Sequence, residues 1–191
     1  MTQPATGRDA LLGRAIGHFA EHGVGDTSLR ALADAIGTSH RMLIYHFGSR
    51  EGLLAAVVDA VEQGARDTLA RMVDEAHDDP DPFEAGMRFW HLVTDDALVY
   101  GPLFFELSSH AMLGLPHAVD LRGRLVTTWL DALVEMWGAR GVPRRAARLQ
   151  ARIDLAVARG LLHDLLLTGD RRGVDAAMRS HARTAVEALV G

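Results

Sequence analysis

Cysteine is absent from all 191 positions, which excludes disulfides, thiolate-bound zinc and a cysteine nucleophile. Lysine is absent as well, so all 20 basic residues are arginine. No stretch reaches the roughly 18 uncharged apolar residues that a membrane span needs. The opening MTQPATGRDALLG also lacks the apolar run of a secretory signal. A cytoplasmic protein with no membrane partner is therefore expected. Strand signals are missing too: alternating β-branched runs bounded by turn residues do not occur. What remains is a chain with 48% apolar and 24% charged residues, enough for a real core and ordinary for a folded protein.

Apolar residues recur at helical spacing almost everywhere, and the sequence reads as all-α. Leu12, Ala15, Ile16 and Phe19 form a first stripe, closed by Gly23 and Gly25. Thr27 or Ser28 can cap a second helix that carries Leu29, Leu32, Ala33 and Ile36. Gly37 suits the left-handed residue that ends it, so a third short helix must begin at once, near Thr38. Ser49 can cap a fourth, longer helix over about 49–76. The acidic, proline-bearing run HDDPDP at 77–82 separates that helix from the next. Further helices are expected at about 83–98, 101–114, 117–139, 144–168 and 171–190, with breaks at Gly101-Pro102, Gly114-Leu115-Pro116, Gly141-Val142-Pro143 and Gly169-Asp170.

The net charge of −5 is not that of a typical nucleic-acid binder, but it is unevenly spread. Residues 1–50 hold Arg8, Arg14, Arg30, Arg41 and Arg50 against Asp9, Glu21, Asp26 and Asp34, a balance of +1 that leaves −6 for the rest. Only the first part can approach a polyanion without strong repulsion. Within it, TSHRMLIYHFGSREGLL (38–54) has two arginines and two histidines and no acid before Glu51. Two short helices joined by a tight glycine turn, with a first helix behind them, form a helix-turn-helix unit whose second helix enters the major groove. Ser39, His40 and Arg41 fall on the first turn of that helix, while Leu43 and Phe47 turn inward. Arginine can fork onto guanine O6 and N7. Tyr45, His46 and Arg50 follow, and Arg50 at a helix N-terminus, where a cation opposes the dipole, suits a phosphate.

The run DTSLRALADAIGTSHRMLIYHFGSREGLL, residues 26–54, resembles the DNA-binding region of the TetR family of bacterial transcription regulators. With the first helix the likeness covers about residues 10–58. Ile44, Arg41 and Arg50 depart from the residues most common there. The resemblance implies an N-terminal three-helix helix-turn-helix DNA-binding domain, residues 1–50, and a larger helical ligand-binding and dimerisation domain, residues 51–191. The helix at about 49–76 connects the two. It implies Ser28 and Arg30 at the groove edge, His40, Arg41 and Met42 facing bases, and Tyr45, His46 and Arg50 on phosphates. The implied partners are a palindromic double-stranded operator, a small-molecule effector and a second copy of the chain, with no cofactor and no enzymatic activity. A repressor is the expected form of such a regulator.

In residues 60–191, Trp90, Phe104, Phe105, Met112 and Trp129 supply large apolar surface, with His91, Tyr100, Glu106 and Arg122 as polar anchors. Trp90, His91, Phe104, Phe105, Met112 and Trp129 are the candidate pocket residues for an apolar or weakly polar ligand. Val174, Met178, Ala182 and Val186 lie on one stripe of the last helix, and Leu149, Ile153 and Val157 on the helix before it. These are the candidate dimer interface, because the earlier helix is apolar on more than one face.

Two other readings compete. HFAEH at 18–22 matches the HxxEH arrangement of a zinc hydrolase, in which two histidines one helical turn apart hold the metal. It ends a short amphipathic helix whose buried stripe is already defined, and no third ligand is singled out. The other reading is a helical interaction module that keeps the fold without DNA readout.

Overall fold

The computed structural model describes residues 7–77 and 81–190. Its first helix, α1 (Gly7–His22), buries Leu11, Ala15 and Phe19. The expected stripe was one residue out of phase at two positions, because Leu12 and Ile16 are only half-buried. Both registers satisfy three- and four-residue spacing, so periodicity alone cannot choose between them.

Helix α2 (Leu29–Ala35) starts on Ser28, whose hydroxyl accepts from the Ala31 N–H at 3.2 Å. It buries Leu29, Leu32 and Ala33, and Ile36 follows them into the core. The chain reverses at Gly37, which has φ +66°. There the Thr38 N–H donates to the Ala33 carbonyl at 2.9 Å and the Gly37 N–H to that of Asp34 at 3.4 Å. That pair of bonds closes a helix end and leaves only four residues, 36–39, between α2 and the next helix. Helix α3 (His40–Phe47) begins on Ser39, which accepts from Met42 N–H at 3.2 Å. Leu43 and Phe47 are its buried residues, and burying two such side chains holds a two-turn helix by about 3–6 kcal/mol. Ser49 accepts from the Gly52 N–H at 3.0 Å and starts α4 (Arg50–His77), which buries Leu53, Leu54, Val57 and Val58.

The expected acidic break lies between α4 and α5 (Pro82–Leu113), and its residues 78–80 lie outside the described ones. Asp81 caps α5 by accepting from the N–H groups of Phe83 and Glu84, at 2.9 and 3.2 Å. The expected break at Gly101-Pro102 does not occur, because α5 runs through Pro102. Proline removes one helical bond, to the carbonyl of Leu98. Leu98 and Pro102 both lie on an exposed face where water can replace it. On the opposite side Leu103 and Leu107 are buried, and a Cβ at Gly101 would come within 2.7 Å of the Leu166 side chain. A further correction concerns α6 (Leu121–Ala139), expected from residue 117: residues 117–120 form turns, with Ala118 buried among them. Helices α7 (Arg144–Thr168) and α8 (Arg171–Leu189) lie where expected and pack on each other. All regular structure among the described residues is helical.

The chain forms two compact units. The first comprises residues up to Gln63 together with Pro102–Gly123; the second comprises Gly64–Gly101 and Arg124 onward. In the first, α2 packs on α1 and α3, and Arg8 lies over the Phe47 ring at 5.1 Å. The second has three apolar clusters. One joins Met87, Trp90, Leu165 and Val174, another joins Trp137, Val142, Ala147 and Ala185, and the third sets Ala132 against Phe89 and Trp129.

Candidate nucleic-acid interface

Helix α3 is held from one side only. With Leu43 and Phe47 buried, the helical repeat turns Arg41 and Tyr45, four residues apart, to the opposite face. Tyr45 is 77% exposed and Met42 41%. His40, Arg41 and Ile44 are exposed as well, and His46 is half-buried. Arg41 and His40 make no hydrogen bond or ion pair with any described residue, so their donors are available to a ligand. The two serine caps are committed as acceptors, Ser28 to Ala31 and Ser39 to Met42. Each hydroxyl keeps its own O–H to donate. Arg30 is exposed on α2. The positive end of α3, with its first-turn N–H groups, favours an approaching phosphate.

Arg50 is placed differently from the others. Its Nε donates to the Thr27 carbonyl at 2.9 Å, and Nη2 donates to the carbonyl of Gly25. The guanidinium therefore holds the α1–α2 turn and keeps further N–H groups that these two bonds do not use. Glu106, expected among the pocket anchors, is committed to the same turn. Its Oε2 accepts from Val24 N–H at 2.7 Å and its Oε1 from Gly25 N–H at 2.9 Å. Neither grip was visible in the sequence, since residues 25 and 106 are too far apart for any spacing rule.

Behind Glu106, His110 Nε2 stands 3.9 Å from Oε1, and His110 Nδ1 meets His117 Nε2 at 3.0 Å. Burial pushes the His117 imidazole below its usual range, and the nearby His110 and Arg50 push the same way while Glu51 opposes them.

The six pocket candidates divide between the two units, with Phe104, Phe105 and Met112 in the first and Trp90, His91 and Trp129 in the second. Trp90 is buried against Met87, Leu165 and Val174, and its indole N–H donates to Asp175 at 2.7 Å. Trp129 packs near Phe89 at 6.2 Å between ring centroids. Phe104 and Phe105 belong to the first unit and are half-buried neighbours, while Met112 in the same unit is exposed. His91 lines an open groove of about 400 Å³ with Glu84, Met87, Arg88, Leu92 and Arg179.

Of the dimer candidates, Leu149 and Ile153 stand 65% and 41% exposed, one turn apart on α7. Val174 differs, being 1% exposed and packed inside its own chain, so it has no surface to offer a second copy. Met178 and Ala182 lean on the same cluster and Val186 on that of Trp137, all three half-buried, as is Val157. At the zinc motif, the His18 and His22 rings stack at 4.5 Å, and His22 Nδ1 lies 3.0 Å from the His18 carbonyl. Among the described residues, no three His, Cys, Asp or Glu side chains stand close enough to hold a metal, and no helix is long and apolar enough to cross a membrane.

Comparison with known proteins agrees with this geometry. The family model for bacterial regulatory proteins of the tetR family matches residues 11–57, the span of α1, α2, α3 and the start of α4. The chain is 31% identical over 174 residues to the HTH-type transcriptional regulatory protein RaaS of Mycobacterium tuberculosis, covering 90% of this chain and 77% of RaaS. Its fold is similar to that of a transcriptional regulator from Rhodococcus sp. Rha1, with TM-score 0.79, 18% identity and coverage of 97% and 99% of the two chains. It is also similar to a Saccharomonospora viridis protein solved in complex with choline, with TM-score 0.70, 23% identity and coverage of 94% and 95%. The chain belongs to the TetR family of bacterial regulatory proteins, and it is a DNA-binding transcriptional regulator of the helix-turn-helix type.

Proposed function

We propose that this regulator is a homodimeric repressor that occupies a palindromic operator and is released from it by a small, largely apolar ligand. Residues 1–50 supply the reading head and residues 51–191 the effector and dimer contacts, with α4 joining them. The observation that carries the dimer is the pair Leu149 and Ile153. Two large aliphatic side chains stand exposed one turn apart on a helix whose other face is already buried through Ala147, Ala151 and Leu155. A second copy related by a twofold axis covers such a face with the same face of its own. Twofold symmetry then sets two α3 helices against two half-sites one turn of DNA apart.

In each head, Arg41 reads a base edge, with His40 and Met42 beside it. Tyr45, His46 and the remaining N–H groups of Arg50 take phosphates, and Ser28, Ser39 and Arg30 border the groove. The effector reading is supported by the choline held by the Saccharomonospora viridis protein. In this chain the groove beside His91 offers Met87 and Leu92 as apolar surface between charged groups. Release is a matter of linkage: a ligand that binds better when the heads are off the DNA weakens operator binding by the factor by which the operator weakens ligand binding. Sedimentation of the protein with one operator duplex tests the assembly. Two chains per duplex are expected, and a single chain bound at full affinity would overturn the dimer.

A further inference from the structure

The α1–α2 turn is gripped from two sides by residues far from it in sequence. Glu106, on α5, receives two consecutive backbone N–H groups, those of Val24 and Gly25. Arg50, at the start of α4, donates to two backbone carbonyls, those of Gly25 and Thr27. Val24 is fully buried at the centre of this arrangement. Gly23 has φ +76°, and a Cβ there would come within 3.2 Å of Glu106 Oε2. A side chain at this position would therefore crowd the carboxylate as well as strain the backbone. The turn ends at Ser28, the cap of α2, and α2 packs on α3. Where the turn sits therefore sets where α2 begins, and through α2 how α3 is presented. Glu106 lies outside residues 11–57, the segment that the family model matches.

We infer that Glu106 is a positioning residue for operator reading: its carboxylate fixes the α1–α2 turn, and so the angle at which α3 meets the groove. A carboxylate that accepts two backbone N–H groups makes strong, directional bonds, and a bidentate hold of this kind removes rotation as well as translation of the turn. Non-specific attraction to phosphates does not need that precision, because it depends on charge count. Reading base edges does need it, since a forked arginine contact tolerates little misplacement. Loss of Glu106 therefore separates the two kinds of binding. The inference rests on the operator reading proposed above.

The test compares the full-length wild type with Glu106→Gln, which keeps size and shape but puts an NH2 group against one of the two backbone donors. Gly23→Ala attacks the same contact from the turn side. Amide exchange of the 23–28 segment, affinity for a selected operator and affinity for a random duplex are measured on each. Both variants are expected to exchange at least tenfold faster in that segment, with Leu32 and Leu43 amides unchanged. Operator affinity is expected to fall at least tenfold, while random-duplex affinity stays within threefold. Faster exchange with operator affinity unchanged overturns the positioning role, as does an equal fall for both duplexes. A wild type that does not distinguish the two duplexes sinks the operator reading itself, and the inference with it.

Discussion

Arg41 and Arg50 carry the same charge nine residues apart, and the structure gives them different work. Arg41 is exposed on the outward face of α3 with no partner among the described residues, so Arg41→Ala should leave stability within about 0.5 kcal/mol. Arg50 donates to Thr27 and Gly25 carbonyls from a half-buried position. Hydrogen bonds from a charged donor contribute about 1.5–3 kcal/mol when well shielded. Two partly hydrated ones give a total cost for Arg50→Ala of about 2 kcal/mol, or a fall in Tm of roughly 4–8 °C for a chain of this length. On DNA the order reverses in kind. Arg41→Ala should weaken the preferred operator by about 1–3 kcal/mol per half-site and relax preference at one base position in each. Arg50→Ala should weaken every duplex and reduce the slope of log affinity against log salt by about one unit per phosphate lost, with a further loss on the operator because the α1–α2 turn is released as well. Thermal melting by circular dichroism and fluorescence anisotropy at several salt concentrations measure both effects. If Arg50→Ala melts with the wild type, its carbonyl bonds do not hold the turn. If Arg41→Ala lowers operator and random-duplex affinity equally, Arg41 is another phosphate contact, and base reading passes to His40 or Met42.

Leu149→Asp with Ile153→Asp places two carboxylates on a face that is exposed in the single chain, so the helical fold should persist while the dimer dissociates by at least a hundredfold. Analytical ultracentrifugation reads this directly, and an unchanged dimer would show that the apolar face of α7 is not the contact. Asp154 accepts from Trp137 Nε1, Gln150 Nε2 and His181 Nε2 at 2.7, 2.7 and 2.8 Å. Asp154→Ala leaves those groups without their acceptor, at a cost of about 2–4 kcal/mol in urea unfolding; a change below about 0.5 kcal/mol would show that water replaces the carboxylate there. His117 makes stability depend on pH. Its folded pKa lies below the ordinary imidazole value of 6.5, because burial and then His110 and Arg50 disfavour its charge. The neutral-state contribution is full above about pH 6.5 and is lost as pH falls through the lower folded value. His117→Gln should flatten the fall in stability as pH drops below about 6.5, and an unchanged profile there would assign the titration to another group.

The head of the molecule was legible because its signals are local. Ser28 and Ser49 cap the helices that follow them, Gly37 makes the turn, and Leu43 and Phe47 turn inward; Ser39, expected on the first turn of α3, is instead its cap. Two misreadings have a common origin in α5. Gly101-Pro102 looks like a stop because proline removes a helical bond, yet an exposed face supplies water and a buried one supplies packing, so the helix continues. The dipeptide instead marks where α5 passes from one compact unit to the other, since Gly101 belongs to the second and Pro102 to the first. Residues 102–123 therefore join the unit that carries the reading helix, which no periodicity announces. Glu106 looked like a pocket anchor for the same reason: a polar residue among aromatics has no address until the chain folds. On α8 the apolar stripe was correctly seen, but Val174 lies inside its own chain, and hydrophobic spacing does not distinguish a core face from a partner face.

Selection of duplexes from a random pool by the full-length protein tests whether α3 reads DNA as one of a symmetric pair. Enrichment is expected of an inverted repeat whose half-site centres lie about 10 base pairs, or a multiple of that, apart, with Arg41→Ala relaxing one position in each half. Recovery of an unrelated mixture, or of a single site without an inverted partner, would contradict it.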